Sequence, residues 1–125
     1  MVQAVSPPAK LWAVTDDKLA QVVQRLMADA APKRLILFGS AARGDLGQAN
    51  DLDLLVIERT VTSRYHEALR LRRLLGDVLM PIDLLVTSED LYLERSQIPG
   101  TLEYRVAKEG RVLHDARRSG ALAAT

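Results

Sequence analysis

Five residues of this chain carry chemistry that packing alone does not call for: Gly39, Ser40, Asp51, Asp53 and Asp83. The apolar run Leu35-Ile36-Leu37-Phe38 ends in Gly39-Ser40, and after ten intervening residues the chain returns with Asp51-Leu52-Asp53. Glycine lets backbone amides approach an anion closely, and a serine opening a helical turn offers amide and hydroxyl donors to a phosphate. Side chains alternate across a strand, so Asp51 and Asp53 are expected on one face. A second segment repeats the frame: Leu52-Asp53-Leu54-Leu55-Val56 is echoed by Ile82-Asp83-Leu84-Leu85-Val86. If these two strands pair in the register of the echo, Asp83 joins the other acids. Carboxylates clustered among leucines repel one another and stay ionised only beside positive charge. A hard divalent cation such as Mg²⁺ suits them, because it prefers Asp and phosphate oxygens. Acids for a metal facing donors for a phosphate is the layout of metal-assisted phosphoryl or nucleotidyl transfer. Each signal has a plainer reading. Gly-Ser after a strand is usually a turn, Asp-x-Asp usually a solvated strand end, and Asp83 a strand-opening polar residue. The weight lies in their combination.

The elements that must position these residues follow from periodicity and caps. Thr15 or Asp16 opens a helix with apolar residues at Leu19, Val22, Val23, Leu26, Met27 and Ala30, closed by Pro32. Residues 34–38 read as a strand covered on both faces. Gly44, Gly47 and Asn50 make residues 41–50 a loop after a possible turn of helix. Residues 51–58 form the next strand. Thr62-Ser63 caps a helix over 64–75 whose core stripe includes Tyr65, Ala68, Leu69, Leu71, Leu74 and Leu75. Residues 81–86 form a third strand with Pro81 at its first position, where a missing donor is tolerated. Ser88 starts a helix over 89–94, and Thr101 caps another over 102–108 that Gly110 stops. Residues 111–113 are a short last strand. This order predicts an α/β (α+β) domain with a small mixed sheet and helices packed on it, spanning 15–114. Residues 1–14 are expected to be a flexible arm anchored by Leu11 and Trp12, and 115–125 a disordered tail.

Composition bounds the alternatives. At 125 residues the chain holds one domain, 48% hydrophobic and 26% charged. A net charge of +1 gives no reason to expect direct nucleic-acid binding. The absence of cysteine excludes disulfides and thiolate metal sites, and two distant histidines, His66 and His114, do not suggest zinc. No apolar run approaches the roughly 20 residues of a membrane span, and the first residues have no signal core. A cytoplasmic location is expected.

Gly39-Ser40, ten residues, Asp51-x-Asp53, then Asp83 on a later strand resembles the polymerase-β-type nucleotidyltransferase superfamily. The short length is similar to its minimal nucleotidyltransferases, the antitoxin halves of HEPN/MNT toxin–antitoxin pairs. The resemblance runs from about Asp16 to His114 and includes Ala42-Arg43-Gly44-Asp45, Pro99-Gly100-Thr101-Leu102-Glu103-Tyr104 and Lys108-Glu109-Gly110-Arg111-Val112-Leu113. It implies a polymerase-β-like nucleotidyltransferase fold in which Asp51 and Asp53 bind two Mg²⁺ ions. Asp83 would ligate the catalytic metal and help deprotonate the attacking hydroxyl. Gly39 and Ser40 would hold the β- and γ-phosphates of ATP, with Arg43 a further phosphate candidate. Ala41 departs from the bulkier or basic residue of many relatives, and Asn50 from a frequent serine. The implied acceptor is a hydroxyl, such as a tyrosine, on a cognate HEPN ribonuclease toxin. Two other functions stay open: an antitoxin that neutralises by binding alone, and a small-molecule nucleotidyltransferase.

Overall fold

The computed structural model describes residues 11–44 and 46–118. Most of the expected arm and tail, and Asp45 of the loop, lie outside the described residues. Helix α1 (Asp16–Ala30) starts where Thr15 Oγ1 accepts from Lys18 N at 3.2 Å, and it ends at Ala31 with φ 44° before Pro32. Strand β1 (Arg34–Phe38) leads into a single helical turn α2 (Ser40–Arg43), followed by a 3₁₀ turn at Leu46–Gln48. Strand β2 (Leu52–Glu58) is followed by α3 (Arg64–Leu74), β3 (Ile82–Ser88), α4 (Glu89–Arg95), α5 (Leu102–Glu109) and β4 (Arg111–Asp115). The expected caps act as such: Ser63, Ser88 and Thr101 accept from His66, Leu91 and Tyr104 amides at 3.2, 3.3 and 3.0 Å.

The sheet is four-stranded and mixed, in the order β3-β2-β1-β4. β1 is antiparallel to both β2 and β4, and β2 runs parallel to β3. Alternation divides the apolar residues between two faces. Leu35, Leu37, Leu54, Val56, Leu84 and Val86 meet Leu19, Val22 and Leu26 of α1 and Leu71 of α3. Ile36, Leu55 and Ile57 point the other way, onto Tyr92 of α4 and Val106 of α5. The strands are therefore apolar on both sides, as a sheet sandwiched between helices requires. Lys18 ties the start of the chain to this frame, its Nζ donating to the carbonyls of Leu11, Ala13 and Leu79 at 2.8, 2.8 and 2.7 Å.

Several boundaries differ from expectation. β2 starts at Leu52, so Asp51 lies just outside it, and β3 continues two residues past Val86 to Ser88. β4 continues to Asp115, which is buried opposite Arg34 and held by Arg117 at 3.2 Å. Helix propensity and burial also part company at Tyr65, placed in the core stripe by its spacing yet 69% exposed. It sits on the first turn of α3. Leu11 and Trp12, the expected anchors, are 55% and 48% exposed, and Val14 is buried in their place.

At the end of β2, Glu58 sits against Glu67 of α3. Burial first, then the hydrogen bond to Glu67 and its charge, push the Glu58 carboxyl up to about 8. Hydrogen bonds donated by Arg70 and by the protonated Glu58 hold Glu67 down to about 2. The stability that Glu58 contributes is complete below its ordinary value of 4.5 and is lost as pH rises toward about 8. Glu67's contribution is present above 4.5 and is lost only in acid. Unfolding free energy from urea titrations should therefore fall from weakly acidic to weakly basic pH, and Glu58→Gln should flatten that slope. In the main core, Leu26→Ala removes a fully buried side chain and should cost about 2–5 kcal/mol, read as a lower urea midpoint.

Candidate active site

The end of β1, the start of β2 and the start of β3 lie together at one end of the sheet. This follows from strand direction: β1 runs antiparallel to β2, and β2 parallel to β3. Asp53 is consequently flanked by Phe38 on one side and by Asp83 on the other. The two LDLLV-like frames pair residue for residue, Leu52 with Ile82 through Val56 with Val86. Both aspartates occupy the face that carries Leu55 and Leu85.

Gly39 directly follows Phe38 with φ 72° and ψ −156°, a backbone conformation that only glycine adopts readily. A Cβ built there would collide with Asp53 Oδ2 and lie 3.2 Å from its Cγ. Two independent constraints thus require glycine, and the second brings the backbone after β1 against the Asp53 carboxylate. Ser40 is exposed and opens α2, whose N-terminus has no side-chain cap.

The electrostatics of Asp53 report its neighbours. Its carboxyl is raised above the usual range, first by burial, then by repulsion from Asp51 and Asp83, with the Arg43 guanidinium partly offsetting this. Asp51 and Asp83 are both exposed. Asp83 Oδ1 lies 3.7 Å from Arg72 Nη2, which also donates to Leu84 O at 3.2 Å. The three acids are neighbours but do not already converge on a point: among the described residues no three acidic or histidine side chains are drawn together tightly enough to hold an ion as they stand. Their oxygens are nonetheless the donors Mg²⁺ prefers, and a cation beside Asp53 would relieve the repulsion that raises it.

Arg43 is exposed on α2, and with Phe38 and Gly39 it borders a small recess. The recess is completed by Arg105 of α5, which sequence reasoning did not single out. The only available signal was weak. Arg105 lies between Leu102 and Val106, whose spacing aims that helix face at β1. His66 is exposed on α3, and His114 pairs opposite Leu35 in β4, so neither approaches the acids.

The polymerase beta nucleotidyltransferase family matches residues 20–119 of the chain. The chain is also similar to a protein of Methanocaldococcus jannaschii provisionally named a protein adenylyltransferase. Identity is 37% over 82 residues, covering 66% of this chain and 78% of that protein. A solved structure of a mutant toxin–antitoxin MntA-HpeT shares 18% identity with a TM-score of 0.42, over 86% of this chain and 79% of that one.

Two measurements check the geometry. Gly39→Ala must strain a positive-φ position and displace Asp53, so it should cost at least about 1–3 kcal/mol, seen as a lower melting temperature. Asp53→Asn removes the repelled charge. It should raise the melting temperature in EDTA and eliminate the further rise that Mg²⁺ gives the wild-type protein.

Proposed function

Because the chain belongs to the polymerase beta nucleotidyltransferase family, we propose that this nucleotidyltransferase moves AMP from ATP, with Mg²⁺, to a hydroxyl of a partner protein. The observation that carries the reading is the register that sets Asp53 beside Asp83, with Gly39 closed against Asp53. Asp51, Asp53 and Asp83 would hold two Mg²⁺ ions. Such ions neutralise phosphate charge and orient the attacking and leaving oxygens. Gly39, Ser40 and Arg43 would hold the β- and γ-phosphates, with Arg105 adding a second guanidinium beside them. An Asp83 oxygen would take the acceptor's proton as the acceptor oxygen bonds to the α-phosphorus. The bond from that phosphorus to the bridging oxygen then breaks, and pyrophosphate leaves.

The name of the archaeal relative supports a protein as acceptor. The resemblance to minimal nucleotidyltransferases supports the finer reading, an antitoxin that modifies a tyrosine of its cognate HEPN ribonuclease toxin. Among the described residues no helix is long and apolar enough to cross a membrane.

Purified protein with its genomic partner, Mg²⁺ and α-labelled ATP should transfer label to the partner, and EDTA should abolish this. Asp51→Ala and Asp53→Ala should each lower the rate at least about 100-fold, the scale of losing a main electrostatic contributor. Unchanged transfer in both variants would remove the reading.

A further inference from the structure

A cleft of about 560 Å³ lies away from Gly39-Ser40. It lies on the far side of the acids. Four consecutive residues of β3, Leu84 through Thr87, line it. Consecutive residues point to opposite faces, so one cleft touches all four only by running along the strand's side. Among the described residues the order β3-β2-β1-β4 leaves that side unpaired, since β3 is an edge strand. One bank is α3, with Arg64, Ala68 and Arg72 along its length. The other is the start of α5, with Leu102.

Across this end of the sheet the sequence of groups is therefore the Gly39-Ser40 turn, Asp53, Asp83 and then the cleft. In-line transfer requires the attacking oxygen to approach opposite the leaving pyrophosphate. With the phosphates held on the β1 side, the attacking oxygen must arrive from the β3 side. We propose that the cleft along β3 is the acceptor site, docking an extended protein segment that presents a tyrosine hydroxyl to Asp83 between acidic neighbours. This rests on the transferase reading above.

Length, polarity and charge support that occupant. Leu55 and Leu85 form an apolar floor on the same face as Asp53 and Asp83, two residues further along their strands. Two residues of parallel strand span about 6.6 Å, comparable to the reach of a phenol from its Cβ to its oxygen. A ring lying on these leucines would set its hydroxyl at Asp83, whereas a serine on the same backbone path would fall short. Thr87 is 1% exposed, and its hydroxyl has no hydrogen-bond partner among the described residues. It borders the cleft beyond Leu85, within the stretch an extended backbone would follow. Arg64 is exposed, and Arg72 makes a loose contact with Asp83 and a bond to the Leu84 carbonyl. The acid in the cleft lining, Glu103, is already paired with Arg95 at 3.1 Å. The rim is therefore positive and complements acidic residues flanking the tyrosine. Tyr65, 69% exposed at the same rim, supplies an aromatic surface. An unpaired strand edge between two banks is the arrangement by which extended segments dock.

The binding test uses the full chain, Mg²⁺, a non-hydrolysable ATP analogue and a fluorescein-labelled peptide with one tyrosine between aspartates, and AMP transfer to the same peptide is measured with ATP in place of the analogue. Arg64→Glu reverses a rim charge at an exposed position, and Ala68→Trp fills the cleft. Each should weaken peptide binding by anisotropy at least about tenfold, and lower AMP transfer to peptide in parallel, while analogue affinity stays within about twofold. An equal loss of analogue affinity would assign the cleft to the nucleotide base and overturn the proposal. Unaltered peptide binding in both variants would overturn it too. Wild-type protein that modifies its partner but does not bind the peptide would sink the docking site and leave the transferase reading intact. Peptide binding without any AMP transfer would instead sink that reading, and the acceptor assignment with it.

Discussion

Asp53 and Asp83 face each other across adjacent parallel strands, and holding two carboxylates in that relation against their repulsion is the constraint on which the structure turns. Neither aspartate can move without its strand. The opposing energy comes from the opposite face of the same strands, where Leu54, Val56, Leu84 and Val86 are buried against α1 and α3. Because side chains alternate, every residue that anchors the register also fixes where the acids point. A one-residue slip would exchange leucines and aspartates between faces, and the buried charge would exclude it.

The same constraint explains the turn after β1. Antiparallel pairing sets Phe38 beside Asp53, so the next residue meets that carboxylate, and only a residue without a Cβ passes. The positive φ at Gly39 then turns the chain into α2 and places Arg43 close enough to moderate the Asp53 charge. Local backbone strain, strand pairing and electrostatics are thus one arrangement. The charges at the opposite end of β2 are handled differently. Glu58 and Glu67 share their environment by raising one carboxyl and lowering the other, with Arg70 as counter-charge. At the acids of the site no basic group among the described residues is bonded so tightly, Arg72 lying 3.7 Å from Asp83.

Chain topology also divides labour at this end of the sheet. The β1 side carries backbone amides and guanidinium groups, the middle carries carboxylates, and the open edge of β3 carries an apolar floor with a basic rim. Among the described residues the four-stranded sheet has one edge, β3, left unpaired beside its acids. On the acceptor site proposed above, the third component of the transfer would approach from that edge.

Much of this was legible in the sequence because it is local or periodic. Thr15, Ser63, Ser88 and Thr101 announced helix starts through hydroxyls that bond amides three residues away. The echo of Leu52-Asp53-Leu54-Leu55-Val56 in Ile82-Asp83-Leu84-Leu85-Val86 predicted a pairing register, because identical frames bury identical faces only when aligned. Other features depended on which surfaces meet. Tyr65 fits a helical stripe, yet on the first turn of α3 it is left exposed. Asp115 looked like the start of a polar tail, yet Arg34 and Arg117 give it partners that bury it and lengthen β4. Arg105, the Arg72–Asp83 contact and the cleft along β3 join elements far apart in the chain, and no spacing rule encodes them. The sequence alone thus determined element order, caps and the residues able to do chemistry, since these follow from neighbours within a few positions. Only tertiary structure decided that Gly39 abuts Asp53, that β3 ends the sheet, and which flank of the acids stays open, because those depend on strand order and direction.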